Sequence, residues 1–193
     1  MPHYYRKDRY GSKYLVSLTI HGQTLEFLTY RSLFSGRAVD LGTKLLLENI
    51  VVPREGVVLD MGCGYGVIGI TVSKLNPRLK VYMVDINPLA VKTARYNAKL
   101  NGVESRVIVL MGDRYEPVKN MRFNAIYSNP PLAAGREIVE DIVLGARKYL
   151  LDKGWAQFVI AQGGRYLAEK ARSLYKEVKV TSKKGYILLY LKP

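Results

Sequence analysis

Hydrophobic residues fall along the chain in two rhythms. Residues 14–20 (YLVSLTI) and 24–30 (TLEFLTY) are rich in β-formers and flank His21-Gly22-Gln23, so they predict a hairpin with glycine in its turn. From Val57 onward, short apolar runs alternate with helical periods. Strands are expected at 57–62 (VVLDMG), 80–85 (KVYMVD), 106–113 (RVIVLMGD), 123–129 (FNAIYSN) and 155–162 (WAQFVIAQ). Helices are expected at 67–75, 88–100, near 136–150 and near 164–176. Strand and helix in succession predict an α/β fold, a mostly parallel sheet with crossover helices on both faces. The segments 177–182 (EVKVTS) and 186–192 (YILLYLK) surround Lys183-Lys184-Gly185 and predict a C-terminal antiparallel hairpin on that sheet. No repeat, low-complexity tract or Pro/Ser-rich linker interrupts the 193 residues. The expectation is one domain over 1–193, with 1–31 as an N-terminal β-hairpin extension and 32–193 as the main fold.

Composition excludes several classes. With 48% hydrophobic and 24% charged residues the chain is in the ordinary globular range, and no apolar run approaches the ~20 residues that cross a bilayer. The start, MPHYYRKDRYGSKY, is polar and basic without the apolar segment of a secretory signal, and a single cysteine cannot form an internal disulfide; a reducing cytoplasm is the expected setting. Thirty Lys and Arg against 16 Asp and Glu give +14. The excess is uneven: residues 1–31 carry +3, residues 32–146 carry +3, and residues 147–193 carry +8. Such a distribution predicts a polyanionic partner, most simply nucleic acid, and 15 tyrosines supply rings that can stack on bases. Three glutamines and one cysteine beside many lysines point to a thermophilic source.

Chemistry concentrates at predicted strand ends. Asp60-Met61-Gly62-Cys63-Gly64-Tyr65-Gly66-Val67 joins the first strand of the alternating region to a helix; glycines there let the backbone turn sharply and approach a ligand, and the helix start offers free N–H groups. The third glycine of the dinucleotide fingerprint is replaced by Val67, with glycine at Gly66 instead. The next strand ends in Asp85-Ile86-Asn87, about 20 residues on, where a carboxylate can hold a ribose diol of either nucleoside cofactor. The third ends in Gly112-Asp113 and the fourth in Ser128-Asn129-Pro130-Pro131-Leu132. Cys63 has no histidine to activate it, and His3 and His21 are the only histidines, so neither a His-based triad nor a metal site is expected. At the fourth strand end, the two prolines stiffen the turn that follows Asn129 and fix the direction of its carbonyls.

The spacing DxGCGxG resembles motif I of class I S-adenosylmethionine-dependent methyltransferases. Together with Phe34-Ser35, Asp40-Leu41-Gly42-Thr43, SNPPL and Gly135, it resembles the methyltransferase small domain family, which includes ribosomal RNA guanine-2-amino methyltransferases, and in particular its short, single-domain archaeal members. The resemblance implies a Rossmann-like, seven-stranded sheet and S-adenosyl-L-methionine as cofactor. Asp60, Gly62, Cys63, Gly64, Tyr65 and Gly66 would lie along the methionine moiety, Asp85, Ile86 and Asn87 at the ribose, Gly112 and Asp113 at the adenine, and Asn129 beside the methyl. It implies Asn129 and Pro130 as the catalytic pair. Phe34, Thr43, Pro131, Leu132, Arg136, Lys183 and Lys184 would meet the substrate. Leu132 stands where the family often has an aromatic, so either Phe34 or Tyr127 would have to stack on the base, or Leu132 would only wedge it. Bacterial relatives carry a second, degenerate domain that is not expected here, so RNA recognition would fall to the basic C-terminal quarter, the N-terminal hairpin or a partner. The implied activity is methylation of an exocyclic amine, guanine 2-amino or cytosine 4-amino, in RNA, with ribosomal RNA or a ribosomal subunit precursor as partner and no membrane. Methylation of a protein glutamine amide and a non-catalytic role in ribosome assembly are the alternatives.

Overall fold

Apolar residues alternate with polar ones in β1 (Lys13–Ile20) and β2 (Gln23–Tyr30), which pair antiparallel with Ile20 opposite Gln23. The turn is therefore only His21-Gly22, both at positive φ (47° and 74°), as a type I′ hairpin requires. Gln23 belongs to the strand, not to the turn. This computed structural model describes residues 11–33, 38–131 and 135–193; Phe34 and Leu132 lie outside them. The chain continues through α1 (Leu41–Glu48), β3 (Gly56–Met61), α2 (Val67–Leu75), β4 (Leu79–Asp85), α3 (Pro88–Leu100), β5 (Val107–Met111) and β6 (Phe123–Ser128). It ends with α4 (Arg136–Gly145), β7 (Leu150–Ile160), α5 (Gly164–Ala171), β8 (Glu177–Lys183) and β9 (Tyr186–Lys192).

The seven strands after the hairpin form one sheet in the order β5-β4-β3-β6-β7-β9-β8. Its neighbours pair in parallel except for β9, which is antiparallel to both β7 and β8. From β3 the chain first builds outward through β4 and β5, then returns to lay β6 on the other side, so the crevice outside the ends of β3 and β6 is the switch point where such sheets bind ligands. Side-chain alternation divides the interior into two layers. Val58, Val81, Met83, Ala125 and Tyr127 face one core with the hairpin's Leu25 and Phe27. Leu59, Met61, Val84, Ile126 and Phe158 face another with residues of α4 and α5.

Helix α2 is apolar nearly all round, and Val67 to Ser73 are all buried. A helix of that composition needs cover on both sides; the sheet supplies one and the hairpin the other, with Phe27 packed edge-on against Tyr65 at 6.1 Å. Two asparagines of α3 fix the hairpin's free edge. Asn97 accepts from Leu28 N–H (2.8 Å) and donates to Leu28 C=O (2.9 Å), while Asn101 accepts from Glu26 N–H (3.2 Å) and donates to Glu26 C=O (2.8 Å). Four residues of helix rise about 6 Å and two residues of strand about 6.8 Å, so the i, i+4 pair meets alternate peptide units.

β7, α4, α5 and α1 differ from the sequence expectation. β7 begins at Leu150, five residues early, through a register shift opposite Phe123 and Ala125. Gly154 makes this possible, since a Cβ there would lie 2.8 Å from Phe123 O and 3.0 Å from Asn124 O. α4 stops at Gly145 and passes into a 3-10 turn, Ala146–Tyr149, and α5 stops at Ala171. α1, absent from the periodicity reading, is a short helix capped by Asp40.

Candidate active site

The turn after β3 is held from every side. Gly62 and Cys63 N–H donate to Val84 O (2.9 and 3.0 Å), Gly66 N–H donates to Cys63 O (2.9 Å), and Tyr65 C=O accepts from Asn97 (2.8 Å). Gly62 and Gly64 sit at φ 68° and 55°, and a Cβ at either would project into open space. Glycine there serves the left-handed backbone and leaves the loop's face bare. Gly66, at φ 96°, is confined differently, because a Cβ would meet Ile70 and Met83 at under 3 Å; it sets how closely α2 approaches the sheet.

Asp60 lies beneath this loop, 1% exposed. Its Oδ2 accepts from Gly69 N–H (2.8 Å), whereas Oδ1 is buried without a partner. Burial, opposed by the Gly69 bond and reinforced by Asp85, pushes its carboxyl up to about 7. Asp85, at the end of β4, accepts from Gly64 N–H on Oδ2 and from Asn87 N–H on Oδ1, both at 2.8 Å, so it ties the two ligand-facing turns together while each oxygen retains a lone pair. Asn87 caps α3 through Leu89 N–H (2.9 Å). Ile86 projects beside them, 67% exposed. After β5, Gly112 packs on Pro117, and Asp113 is gripped by Arg114, which also reaches Asp141 of α4 at 2.7 Å. The Arg114 hydrogen bonds hold the Asp113 carboxyl below the usual carboxylate range.

The fourth strand end carries the most informative contact. Asn129 Nδ2 donates to Asp40 Oδ2 (2.7 Å) and to Thr43 Oγ1 (2.9 Å), and the same Asp40 oxygen accepts Thr43 N–H (3.0 Å) as the α1 cap. A carboxylate only accepts, so the nitrogen must face Asp40 and the Asn129 carbonyl oxygen must point away from it. Ser128 Oγ donates to Met61 O (2.6 Å) and clamps the ends of β6 and β3 together. A cleft of about 440 Å³ opens at this switch point between the glycine loop, Asp85, Asp113 and Asn129.

The family model described as methyltransferase small domain matches residues 24–190. The chain belongs to the methyltransferase small domain family. It is 32% identical to the uncharacterized protein YbxB of Bacillus subtilis (strain 168), over 98% of both chains. It is 37% identical to ribosomal RNA small subunit methyltransferase C of Serratia proteamaculans (strain 568), over 65% of this chain but only 37% of that protein. The structure of T. thermophilus 16S rRNA N2 methyltransferase RsmC, in complex with AdoMet and guanosine, superposes with TM-score 0.80 at 22% identity, over 93% of this chain and 50% of the other. The chain thus spans nearly the whole of one curated relative and less than half of the named ribosomal RNA enzyme.

Seen as a methyltransferase fold, most residues singled out by sequence converge. Gly62, Cys63, Gly64, Tyr65, Asp85, Ile86, Asn87, Gly112, Asp113, Asn129, Thr43 and Pro131 border the cleft. Asp60 and Gly66 support it from behind. Cys63 is buried, and burial together with Asp60 and Asp85 pushes its thiol up, which leaves it inert. Pro130 is buried beside Asn129. Arg136 stands at the exposed start of α4, 4.0 Å above the Tyr166 ring. Lys183 reaches Glu48 at 3.4 Å, and Lys184 is exposed in the β8–β9 turn at φ 49°. Tyr127 cannot stack on a base: it is fully buried, with its hydroxyl on Val51 O (2.7 Å). Sequence reasoning gave Asp40 no role at the site and passed over Ile138 and Arg114, which also border the cleft. Asp40 had a signal, an N-cap aspartate three residues before a threonine and ahead of an apolar run.

Proposed function

We propose that this protein is an S-adenosylmethionine-dependent methyltransferase that modifies an exocyclic amine of an RNA base, with ribosomal RNA as substrate. The observation that carries the reading is the Asp40–Thr43 hold on Asn129, which leaves one amide carbonyl oxygen, and no amide hydrogen, to meet an incoming amine.

The cleft suits the cofactor on its own evidence. The unpartnered Asp60 Oδ1 is a buried acceptor under the bare glycine loop and answers an ammonium group. Asp85 keeps lone pairs for a ribose diol, and the exposed apolar faces of Ile86 and Ile138 suit a flat purine. When bound, the cofactor supplies a methyl group on a positively charged sulfur, open to in-line displacement.

A base amine is a weak nucleophile because its lone pair is delocalised into the ring. Asn129 Oδ1 accepts one amine hydrogen and Pro130 C=O the other, favouring a pyramidal nitrogen whose lone pair points along the displacement axis. Neither acceptor needs to ionise, and the surplus proton leaves the methylated amine to water once the nitrogen carries the positive charge. Support for RNA comes from the +14 charge with +8 in residues 147–193, and from the ribosomal RNA enzymes among the relatives.

Nucleoside mass spectrometry on ribosomal RNA from a deletion strain is expected to show one N-methylated nucleoside missing, restored by the wild-type gene and not by Asn129→Ala. In single turnover, Asn129→Ala should lower transfer by about 10²-fold while leaving cofactor affinity within a few-fold. An unchanged nucleoside profile with loss of a methylated glutamine would transfer the activity to a protein amide.

A further inference from the structure

Over its last two strands, the sheet face that carries α1 has no covering helix among the described residues. The register places Lys179, Thr181 and Lys183 of β8 beside Tyr190, Leu188 and Tyr186 of β9 on that face. Lys192 and Glu177 are the next pair, giving three lysines and one glutamate from the two strands. The other face of the hairpin is the packed one, where α5 brings Gly164 against Ile187. Between α1 and the open face runs a groove of about 370 Å³, lined by Asn49, Gln157, Lys179, Thr181 and Tyr190. At one end Trp155 and Tyr190 stack at 6.4 Å and 24°, with Lys179 Nζ 5.5 Å from the Tyr190 ring and 2.5 Å from Glu177. At the other end the strip reaches the methyl-transfer site. A Cβ on Gly42 would lie 2.8 Å from Tyr186 Cε1 and 3.3 Å from Asn129 Nδ2, so ring and amide touch the same point of α1.

We propose that this face is a second binding site of the protein, holding single-stranded RNA next to the nucleotide being methylated. The inference rests on the RNA reading above and adds where the flanking strand lies. Tyr186 and Tyr190, both half-buried, stand about 13 Å apart along β9 on either side of the buried Leu188, and the Tyr186 end lies beside Asn129. Rings interleaved with cations on an open sheet fit a strand whose bases are unstacked: stacking holds the bases, at about 1–3 kcal/mol each, and lysines hold the phosphates. A duplex hides its bases and gains only the charge contacts. The contacts of Lys179 with Glu177 and of Lys183 with Glu48 are exposed, so exchanging them for phosphate costs little.

Trp155 is the chain's single tryptophan, which makes the face report on itself. The full chain is titrated with a fluorescein-labelled 20-nucleotide single-stranded RNA of mixed sequence, following label anisotropy and, with unlabelled RNA, tryptophan fluorescence. A saturable fluorescence change with the same midpoint as the anisotropy is expected. Lys179→Glu should weaken binding about tenfold and lower the salt slope by about 0.7 or more, since a single-stranded phosphate contact is lost. Lys148→Glu, the same charge change on the 3-10 turn after α4, should weaken it less than threefold. Both variants should bind S-adenosylmethionine within twofold of wild type. Anisotropy without any tryptophan change, equal losses in the two variants, or equal affinity for the same sequence as a duplex overturns the proposed face while leaving the RNA reading in place. No anisotropy change with any RNA overturns both.

Discussion

Asp40 is the residue whose replacement separates catalysis from folding most cleanly. One of its oxygens does two things, capping α1 through Thr43 N–H (3.0 Å) and holding Asn129 Nδ2 (2.7 Å). In Asp40→Asn the cap survives, because asparagine is as good an N-cap as aspartate. The bond to Asn129 changes from charge-assisted to neutral, which roughly halves its strength. The asparagine can also turn its own NH2 toward residue 129, and the Asn129 amide can then sit either way round. A loss of about 1–1.5 kcal/mol in orientation corresponds to roughly a tenfold slower transfer. Asp40→Ala removes both interactions: the cap costs about 1 kcal/mol, or 2–4 °C in Tm for a chain of this size, and the lost charge-assisted bond slows transfer by about 10–100-fold. The assay is single-turnover methyl transfer to ribosomal RNA from a deletion strain, at saturating cofactor, beside a thermal melt. Asp40→Asn should melt within about 2 °C of wild type yet transfer slowly. If Asp40→Ala lowers Tm while transfer stays within fivefold, Asp40 is a helix cap only and Asn129 owes its orientation to something else.

Three further outcomes follow from contacts around the glycine loop. Burial raises the Asp60 carboxyl from 3.8 to about 7, so between those values the folded chain keeps a proton that the unfolded chain releases; this contribution to stability is full below pH 3.8 and is lost as pH rises toward 7. Melts of wild type and Asp60→Asn from pH 5 to 8 should therefore converge on a flatter profile for the variant, and calorimetry in two buffers should detect proton release when S-adenosylmethionine binds below pH 7. Asp85→Asn presents an NH2 to one of the two amides that Asp85 now accepts, Gly64 N–H or Asn87 N–H, and should weaken cofactor binding by about 10–100-fold by calorimetry; a change under threefold would remove Asp85 from the site. Asn97→Ala strands Leu28 N–H, Leu28 C=O and Tyr65 C=O and should cost about 2–4 kcal/mol, read as a fall of roughly 5–15 °C in Tm. A loss below about 1 kcal/mol would show that water replaces the amide.

The alternating part of the fold was legible because each of its elements obeys one period: α2 and α3 match their expected spans residue for residue, and β3, β4, β6 and β9 match within a residue. What escaped was set by contacts between segments far apart in sequence. The early start of β7 depends on Gly154 passing under the carbonyls of Phe123 and Asn124, and a glycine in a sequence reads as an interruption until its neighbour is known. At the site, acids at strand ends could be placed because a strand's end is a sequence feature. Burial is not, so Tyr127, one residue before the strand ends and directed into the core, could be named as a stacking ring. Asp40 was hidden for the same reason, since its partner Asn129 lies 89 residues away.

The N-terminal hairpin shows how this distinction changes a functional assignment. Read as an extension with basic residues, it is a candidate RNA-binding arm. In place, its β2 edge is consumed by Asn97 and Asn101, and its Leu25 and Phe27 are part of the same core as α2. Asn97 spends its second amide hydrogen on Tyr65 C=O, so one side chain connects the hairpin to the loop that faces the cofactor cleft. An element that covers α2 and steadies the glycine loop has its inner face and one edge committed to the site's geometry. Under the proposed RNA reading the charge then comes from the C-terminal strands as well: of the +8 in residues 147–193, Lys179, Lys183 and Lys192 against Glu177 lie on the two strands whose open face ends beside Asn129.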